Sequence, residues 1–600
     1  MNNDYYGRKI KENDSQLEKL KAPLRAIPFL KLLFFFVAVF LLIAPFQLDW
    51  HRTGCFLLAA LCFGVYLWLY KRDDFYLREK AYHRALKKVY SDEISFLKGD
   101  YSPFDNGERF VNKKHPYAFD LDLFGENSIY HMINRTVTSE ASSLLAEKLG
   151  SIPNSEEEIV ARQESLSELT RKEIFRHRFM AICKGFDKEK EDFKAMGAIG
   201  ETGGRHSVLT STVGLVLIYC SIGVTLASGV LAYLGYLPWS LFISLFMLQL
   251  FFPMLYNKVL NRVGADIGFL HENTRVHADL LQVVQEETFE APLNSDLKKD
   301  LFEIHNARDA LKELSTLLKK FDQRHNAYIL VLFNGLFLRD LFLLRQFYRW
   351  RSHYSLHVQP WISLLAEMEA RVSQATYLFN RPEFTCPVIT DRPGILIEAA
   401  GLGHPFIPKE ERVDNDIVID RKKFMIVTGA NMAGKSTFLR TVGVNYVLAV
   451  NGMNVCASHF HFSLFHLFSS MRNTDDLSSG TSYFKAELER MRELIRFCRS
   501  HRHTLIILDE LLKGTNSRDK LNGSILFLKK MAELPVTGII ATHDLELAKL
   551  EEEVPERYQN WCFEINLTEE EQFTYKIERG VSKNMNATFL LQKILTEELL

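Results

Sequence analysis

The sequence lacks two features that would point to a disulfide-stabilised or a generally basic protein. Its 600 residues include eight cysteines, none of them in CxxC spacing, and several lie inside apolar stretches. This pattern is typical of reduced thiols in the cytosol or within a membrane, and it indicates no disulfide framework. Lys and Arg together number 73 against 74 Asp and Glu. A formal net charge of −1 therefore gives no support for a nucleic-acid partner from bulk electrostatics.

The sequence also lacks a convincing metal-ligand motif. His459, His461 and His466 alternate with aromatic and aliphatic residues. Such alternation favours one polar face of a strand over a ligand cluster. No metal site is indicated outside the nucleotide site described below.

Charged residues are absent from two long regions of the chain. Leu32–Phe46 and Gly54–Tyr70 are uncharged, and Ser207–Asn257 contains no charged residue and has a Gly-Tyr-Leu-Pro turn at 235–238. Each region is long enough for two helices of about 20 residues, which cross a bilayer core of about 30 Å. We predict two transmembrane hairpins, at 27–72 and 207–257. The alternative is a buried helical hairpin in a large soluble core.

The distribution of Lys and Arg predicts the orientation of both hairpins. Basic residues are dense before Leu32 and after Tyr70, while the turn between the two runs carries only Arg52. Basic residues also flank the second apolar region on both sides, at 205 and at 258 and 262. The positive-inside rule then places the ends of both hairpins in the cytoplasm. We expect a multi-pass protein of the inner or plasma membrane whose remaining domains are cytoplasmic.

The segments between these regions carry a helical pattern. Apolar residues recur at intervals of three and four in Glu156–Leu169 and Leu297–Phe321, which predicts long exposed lever helices. Leu330–Leu338 is apolar but too short to span a membrane, so we expect a core helix or a connector there.

A glycine-rich loop follows an apolar strand near residue 425. Gly429, Gly434, Lys435 and Ser436 fit the spacing GxxxxGK[ST], and a helix follows over Ser436–Val450. The glycines allow positive φ, so that backbone amides point inward and cradle phosphates. Lys435 would reach the β and γ phosphates as a catalytic cation, and Ser436 would offer its hydroxyl to Mg²⁺. The expected ligand is a nucleoside triphosphate.

Two further strands end in residues suited to hydrolysis. The apolar run Leu505–Leu508 leads into Asp509 and Glu510. Asp509 would hold Mg²⁺, usually through water, and Glu510 would polarise the water that attacks the γ-phosphate. A second strand, Gly538–Thr542, leads into His543, which would sense the γ-phosphate or orient the water. A solvated histidine at a strand end is the other interpretation of His543.

Several segments together resemble the MutS family. Asp476–Glu487, Asp509–Asp519 and Ala541–His543 are similar to the signature, D-loop and switch segments of MutS-type ATPases, which are relatives of the ABC ATPases. Asp122–Thr138 and Ile159–Gln163 resemble the start of the MutS core and lever region. The segments at 403–405 and 415–416 resemble the approach to the nucleotide site of that family. The resemblance covers the chain from about residue 120 onward, interrupted by the second hairpin.

The resemblance implies an α/β P-loop ATPase of ABC/MutS type at the C-terminus. An all-α core and lever domain would precede it, interrupted by the transmembrane helical hairpins. The implied divisions are a cytoplasmic tail at 1–26, hairpin 1 at 27–72, a helical connector at 73–119, a first core and lever segment at 120–206, hairpin 2 at 207–257, a second lever and core segment at 258–384, and the ATPase at 385–600.

The resemblance also implies a homodimer that uses ATP and Mg²⁺ in composite sites. Ser482 of one subunit would reach the γ-phosphate bound to the other, and Ser436 and Asp509 would hold Mg²⁺. The nucleotide-binding residues would be Gly429, Asn431, Gly434, Lys435, Ser436 and Thr437. In this family the ATP state is coupled to clamp movement on DNA, which makes DNA the expected partner.

Some positions depart from the family pattern. The residues before Asp120 leave no room for a separate mismatch-reading domain, and we expect no appended nuclease domain after the ATPase. Leu512 and Lys513 stand where repair members usually have Gly and Arg. We therefore expect a membrane-anchored, ATP-switched dimeric clamp of the DNA repair or recombination class without mismatch recognition. The alternatives are a membrane ATPase acting on a protein or lipid partner, and a soluble clamp whose apolar runs are core.

Overall fold

The computed structural model describes residues 2–47, 52–186, 211–257, 260–261, 271–303, 306–390, 392, 394–472, 483–567 and 571–583. Helices form the first two thirds of the chain, and an α/β region follows. The helices before the α/β region are α1 Asn2–Gln47, α2 Arg52–Leu97, α3 Ile129–Ile133, α4 Ser139–Leu149, α5 Glu156–Arg171, α6 Glu173–Cys183, α7 Thr212–Tyr233, α8 Trp239–Leu255, α9 His271–Glu286, α10 Pro292–Phe302, α11 Ala307–Asp322, α12 Ala327–Phe337 and α13 Arg339–Asn380.

The α/β region contains ten strands and four further helices among the described residues. The strands are β1 Val388–Ile389, β2 Ile395–Leu402, β3 Asn415–Asp420, β4 Phe424–Gly429, β5 His459–Phe462, β6 His466–Ser470, β7 Thr504–Asp509, β8 Val536–Thr542, β9 Tyr558–Leu567 and β10 Glu571–Arg579. The helices are α14 Lys435–Val450, α15 Tyr483–Ser500, α16 Ser517–Ala532 and α17 Lys549–Glu553.

The first two helices form a long antiparallel pair. Each has 46 residues, which corresponds to about 69 Å, more than twice the thickness of a bilayer core. In the apolar section, small residues such as Ala38 and Ala59 are buried between the helices, while Phe36 and Leu61 are exposed on the outside. Residues 2–26, which the sequence predicted to be a tail, form the first half of α1. Three described helices, α1, α2 and α7, are long and apolar enough to cross a membrane.

The polar end of this pair packs on the helical core. The Tyr6 hydroxyl donates to Asn380 Oδ1 at 2.9 Å, and Asn380 Nδ2 donates to Glu93 at 2.7 Å. Glu93 also pairs with Arg135 at 2.9 Å, and both side chains are almost fully buried. The 42-residue helix α13 ends at this network, so α1, α2 and α13 meet at one buried polar junction.

A second apolar group consists of α7, α8 and α12. Helix α8 has 17 residues, about 26 Å, and packs against both α7 and α12. The α12 side chains Val331, Leu332 and Phe333 are exposed. The segment 330–338 therefore acts as a connector into α13, with an exposed apolar face, and is not a core helix. Asn334 caps this junction by accepting from the Asp340 amide at 2.9 Å.

The α/β region has two sheets. The larger has the order β10-β9-β4-β8-β7-β6, in which all pairs are parallel except β10 with β9. Every residue of β4 and β8 is buried, as expected for central parallel strands covered on both faces. The crossovers make the carboxyl ends of β4, β7 and β8 meet at one edge, where ligands of open α/β sheets bind. The smaller sheet has the order β1-β5-β2-β3.

The α/β region is joined to the helical core by polar contacts. The Asp120 carboxylate accepts from Ser469 Oγ at 2.8 Å and from the Arg472 amide at 2.9 Å. Arg490 of α15 donates to the Pro116 carbonyl at 3.0 Å. These contacts link the end of β6 and helix α15 to the segment that begins the core.

Candidate nucleotide site

The glycine loop joins β4 to α14 in the geometry of an anion cradle. Gly429 has φ 155° and Gly434, the residue before α14, has φ 100°, which disfavours a residue with a Cβ. A Cβ at Gly434 would also lie 3.1 Å from Cδ1 of Tyr575. The first turn of the 16-residue helix α14 leaves backbone amides without helical partners, so its N-terminus attracts an anion such as a phosphate.

Lys435 lies across this loop. Its Nζ donates to the carbonyls of Gly429 at 2.8 Å and Ala430 at 2.7 Å. Burial lowers the pKa of Lys435 to about 8, against the raising effects of Asp509 and Glu510. A cation whose charged form is penalised by burial gains from a phosphate anion placed beside it. Lys435 is thus suited to release the loop carbonyls in favour of phosphate oxygens.

Ser436 and Asp509 meet at the same edge of the sheet. Ser436 Oγ donates to Asp509 Oδ2 at 2.5 Å, although 73 residues separate them in the chain. Ser436 is the second residue of α14, and Asp509 is the last residue of β7. A hydroxyl and a carboxylate are oxygen ligands of the kind that Mg²⁺ takes. The donor set therefore fits the predicted magnesium site.

Glu510 has its own set of partners. Its backbone is left-handed, with φ 57°, and its Oε1 lies 3.1 Å from Nε2 of His543. Its Oε2 lies 3.6 Å from Nζ of Lys520 in helix α16. Burial and the nearby Lys435 lower the pKa of His543, against the raising effect of Glu510. The carboxylate is therefore held between an imidazole and an ammonium group, at the end of the strand that carries Asp509.

A cavity of about 600 Å³ extends from the loop to a wall built by the smaller sheet. This volume lies within the range of small-molecule sites. Burial lowers the pKa of His404 in this wall to about 4, and the nearby Arg440 and Arg412 contribute to the shift. The cavity is lined by the loop and helix residues Asn431, Gly434, Lys435, Ser436 and Thr437, by Asp509 and His543, by wall residues that include Leu402, His404, Arg412 and Asn415, and by Tyr575 of β10.

The structure thus brings the predicted residues of the loop, of β7 and of β8 to one place. Glu510 reaches it through His543, which also approaches Lys435 at 3.5 Å. Glu487 of α15 accepts from the Lys513 amide at 3.0 Å and so ties the start of α15 to the loop that follows β7. Ser482 lies outside the described residues.

Sequence reasoning missed three contributors to this site. Helix α16 begins at Ser517, and Lys520 in its first turn lies close to Glu510 at the end of β7. Tyr575 comes from the antiparallel edge strand β10, and Arg412 from the loop before β3. Their positions depend on sheet order, and no local sequence pattern marks them.

Comparisons with known proteins cover the region that holds this site. A sequence model of the family described as MutS domain V matches residues 425–589. Three similar curated proteins are each named DNA mismatch repair protein MutS. The relative from Protochlamydia amoebophila is 32% identical over 214 residues, 34% of this chain and 24% of the relative. Those from Thermotoga maritima and Clostridium botulinum are 32% identical over 226 residues and 31% over 234 residues, covering 36% and 37% of this chain and 27% and 24% of the relatives.

The chain spans about a quarter of the length of the curated relatives that it matches. The family match includes the glycine loop and the ends of β7 and β8, and it extends through β10. The wall formed by residues 402–415 and all the helices before it lie outside the range that the family model matches.

Proposed function

We propose that this chain, whose residues 425–589 match MutS domain V and whose curated relatives carry the MutS name, is a MutS-family ATPase that acts as an ATP-switched dimeric clamp anchored in a membrane. MutS family proteins are ATPases in general. The observation that carries the proposal for this chain is the convergence of Lys435, Ser436, Asp509 and His543 at one cavity, with Glu510 3.1 Å from His543.

The residues divide the work of phosphoryl transfer between them. Lys435 and the amides at the start of α14 bind the phosphates and orient the γ-phosphate. Ser436 and Asp509 would hold Mg²⁺, which would neutralise phosphate charge. Glu510 accepts a hydrogen bond from the attacking water. His543, 3.1 Å from the Glu510 carboxylate, orients this water. Such catalysis depends on positioning and electrostatic stabilisation more than on covalent chemistry.

ATP binding changes contacts that reach beyond the site. Lys435 has to exchange the carbonyls of Gly429 and Ala430 for phosphate oxygens, and Ser436 has to share Asp509 with the metal. A ligand shifts a conformational equilibrium only through contacts that differ between its states, and these exchanges are such contacts. The contacts of Asp120 with Ser469 and of Arg490 with Pro116 are a route by which movements of β6 and α15 would reach the helical core.

The dimeric arrangement rests on the family resemblance. Ser482 precedes helix α15, and Glu487 near the start of that helix binds the D-loop amide of Lys513. We propose that Ser482 acts in trans on the γ-phosphate of the partner subunit. Hydrolysis would then require two closed subunits.

Membrane anchoring is supported by the exposed apolar helices. The outward side chains of α7, of α8 and of the apolar sections of α1 and α2 are largely apolar, and the polar halves of α1 and α2 continue to the buried junction at Glu93. We propose a multi-pass protein of the inner or plasma membrane, with the ATPase and lever helices in the cytoplasm. Lys31 pairs with Asp73 at the polar limit of the apolar section, where a membrane surface would lie.

DNA is the proposed partner of the clamp, since the relatives are named for DNA mismatch repair. The protein, purified in detergent, is titrated onto duplex and branched DNA across a salt series. Binding through phosphates weakens by a factor of about 10³ or more between about 50 and 200 mM salt when six or more contacts form. Absence of salt-sensitive binding, with ATPase activity stimulated by lipid or by a protein, would favour the alternative of a membrane ATPase without nucleic acid.

The hydrolytic assignment is tested separately by Glu510→Gln, which removes the carboxylate charge and keeps the shape. We expect ATP to bind and turnover to fall by at least about 10², the size of a general-base contribution. Glu533→Gln, at an exposed pair with Lys530, is the matched control and should hydrolyse ATP like the wild type. Equal turnover in Glu510→Gln and wild type would refute the role assigned to Glu510.

A further inference from the structure

Strand β5 presents two imidazoles on one face of the smaller sheet. His459 and His461 are two residues apart, and their ring centroids are 3.9 Å from each other. Phe460 and Phe462 point to the opposite face and are buried in the core. The polar face predicted from the alternating sequence is therefore confirmed for this strand. His466 does not share the face, because it begins β6 in the larger sheet and contacts His501 instead.

A carboxylate joins the two imidazoles from the neighbouring strand. In the antiparallel register of β2 with β5, Glu398 is directly opposite His461. Residues opposite each other in such a pair have side chains within contact distance on one face. Glu398 Oε2 lies 4.0 Å from His461 Nδ1. Potential ligand atoms of Glu398, His459 and His461 all lie within 4.8 Å of one another.

One of these atoms is buried and has no hydrogen bond. His461 Nδ1 is inaccessible to solvent and has no hydrogen-bond partner within the described regions of the chain. A buried polar atom normally has a partner, so an isolated one calls for an explanation. Burial, with further effects of His459 and Arg392, lowers the pKa of His461 despite the carboxylate of Glu398. An imidazole nitrogen without a hydrogen-bond partner is available to coordinate a metal ion.

Arg392 is the one group that competes for the carboxylate in the described surroundings. Its Nη1 donates to Glu398 Oε2 at 2.7 Å, but 58% of its side chain is exposed. An exposed ion pair of this type is weak and is screened by salt. A cation at the cluster needs Arg392 to swing toward solvent or to share the carboxylate, and the exposed side chain has the space to do so.

We propose that Glu398, His459 and His461 form a binding site for a divalent transition-metal cation of the Zn²⁺ type, separate from the magnesium site. Two imidazole nitrogens and one carboxylate oxygen suit Zn²⁺ and neighbouring transition metals, while Mg²⁺ and Ca²⁺ take oxygen ligands. Three protein ligands leave a coordination position open to water or to a ligand from a second molecule.

The site has a structural consequence for the nucleotide cavity. A bound cation would cross-link the neighbouring strands β2 and β5. Strand β2 ends at Leu402, which lines the wall of the nucleotide cavity. Metal binding to the folded state adds its free energy to the stability of that state. We expect Zn²⁺ to raise the melting temperature of the protein and to restrict the movement of β2 in the cavity wall.

The test uses the full chain without a polyhistidine tag, freed of metal and kept in excess Mg²⁺. Calorimetric titration with Zn²⁺ should give one saturable site per chain. The absorption of Co²⁺ in its place should report nitrogen ligation. His461→Ala and Glu398→Gln should each weaken Zn²⁺ binding by at least about tenfold, since even outer-shell substitutions at metal sites have effects of that size. His353→Ala, on the exposed face of α13, is the control and should bind like the wild type.

Retained ATP binding by each variant shows that it is folded. The proposal is overturned if the wild type shows no saturable Zn²⁺ binding. It is also overturned if folded His461→Ala and Glu398→Gln bind Zn²⁺ with the stoichiometry and affinity of the control.

Discussion

Lys435 of the glycine loop should make ATP affinity fall as the pH rises into the alkaline range. Burial shifts the pKa of Lys435 from 10.5 to about 8. Each pKa unit corresponds to about 1.36 kcal/mol, so the charged form is disfavoured by about 3 kcal/mol in the protein without nucleotide. Phosphate oxygens favour the ammonium form and so raise this pKa in the complex.

The sign of the effect follows from proton linkage. Below about pH 8 the lysine is already protonated, and ATP binding takes up no proton. Between about pH 8 and the higher pKa of the complex, ATP binding requires proton uptake, and affinity falls by about tenfold per pH unit. If the complex restores the ordinary pKa, affinity drops by about 30-fold between about pH 7 and 9.5, which is about 2 kcal/mol.

The assay is an equilibrium titration with a fluorescent ATP analogue at several pH values and constant ionic strength. Lys435→Met binds more weakly but should lose the alkaline dependence, because no other loop residue titrates with Lys435. His543 does not confuse the result, since its pKa is lowered from its ordinary value of 6.5 and it stays neutral in this range. A flat profile for the wild type, or the same slope in Lys435→Met, would refute the reasoning.

Three other substitutions test separate regions of the structure. Ser436→Ala removes one metal ligand, and we expect the Mg²⁺ concentration needed for half-maximal ATPase activity to rise at least about tenfold while metal-free nucleotide affinity changes little. Lys520→Met removes a cation 3.6 Å from Glu510 that helps to position its carboxylate, so we expect kcat to fall while KM changes little. Arg135→Met leaves Glu93 buried without its ionic partner, and thermal or denaturant unfolding should show a loss of about 3 to 5 kcal/mol.

Lys529→Met is the matched control for Lys520→Met. Lys529 lies in the same helix but pairs with the exposed Glu553, and the kcat of this variant should match the wild type. An unchanged kcat in Lys520→Met would show that this lysine does not position Glu510. An unchanged Mg²⁺ requirement in Ser436→Ala would exclude Ser436 as a ligand. Stability equal to wild type in Arg135→Met would mean that Asn380 alone satisfies Glu93.

Much of the nucleotide site was predictable because its elements are local. The glycine loop, the acidic pair and His543 each follow an apolar strand within a few residues, and a strand followed by such a turn has few conformations available. Parallel strands joined by crossovers place their carboxyl ends together, so the meeting of Ser436 with Asp509 also follows from the pattern. The apolar helices are equally readable, since their length and composition are local properties.

The strand-loop-helix units and the long apolar helices follow from local sequence patterns. The contact of Lys520 with Glu510, the position of Tyr575 beside Gly434 and the pairing of Glu398 with His461 arise only when distant segments pack together. Strand order and register set these pairs, and both come from packing between segments that are far apart in the chain. Local patterns do not predict which strands become neighbours, because strand order depends on how the whole sheet is buried.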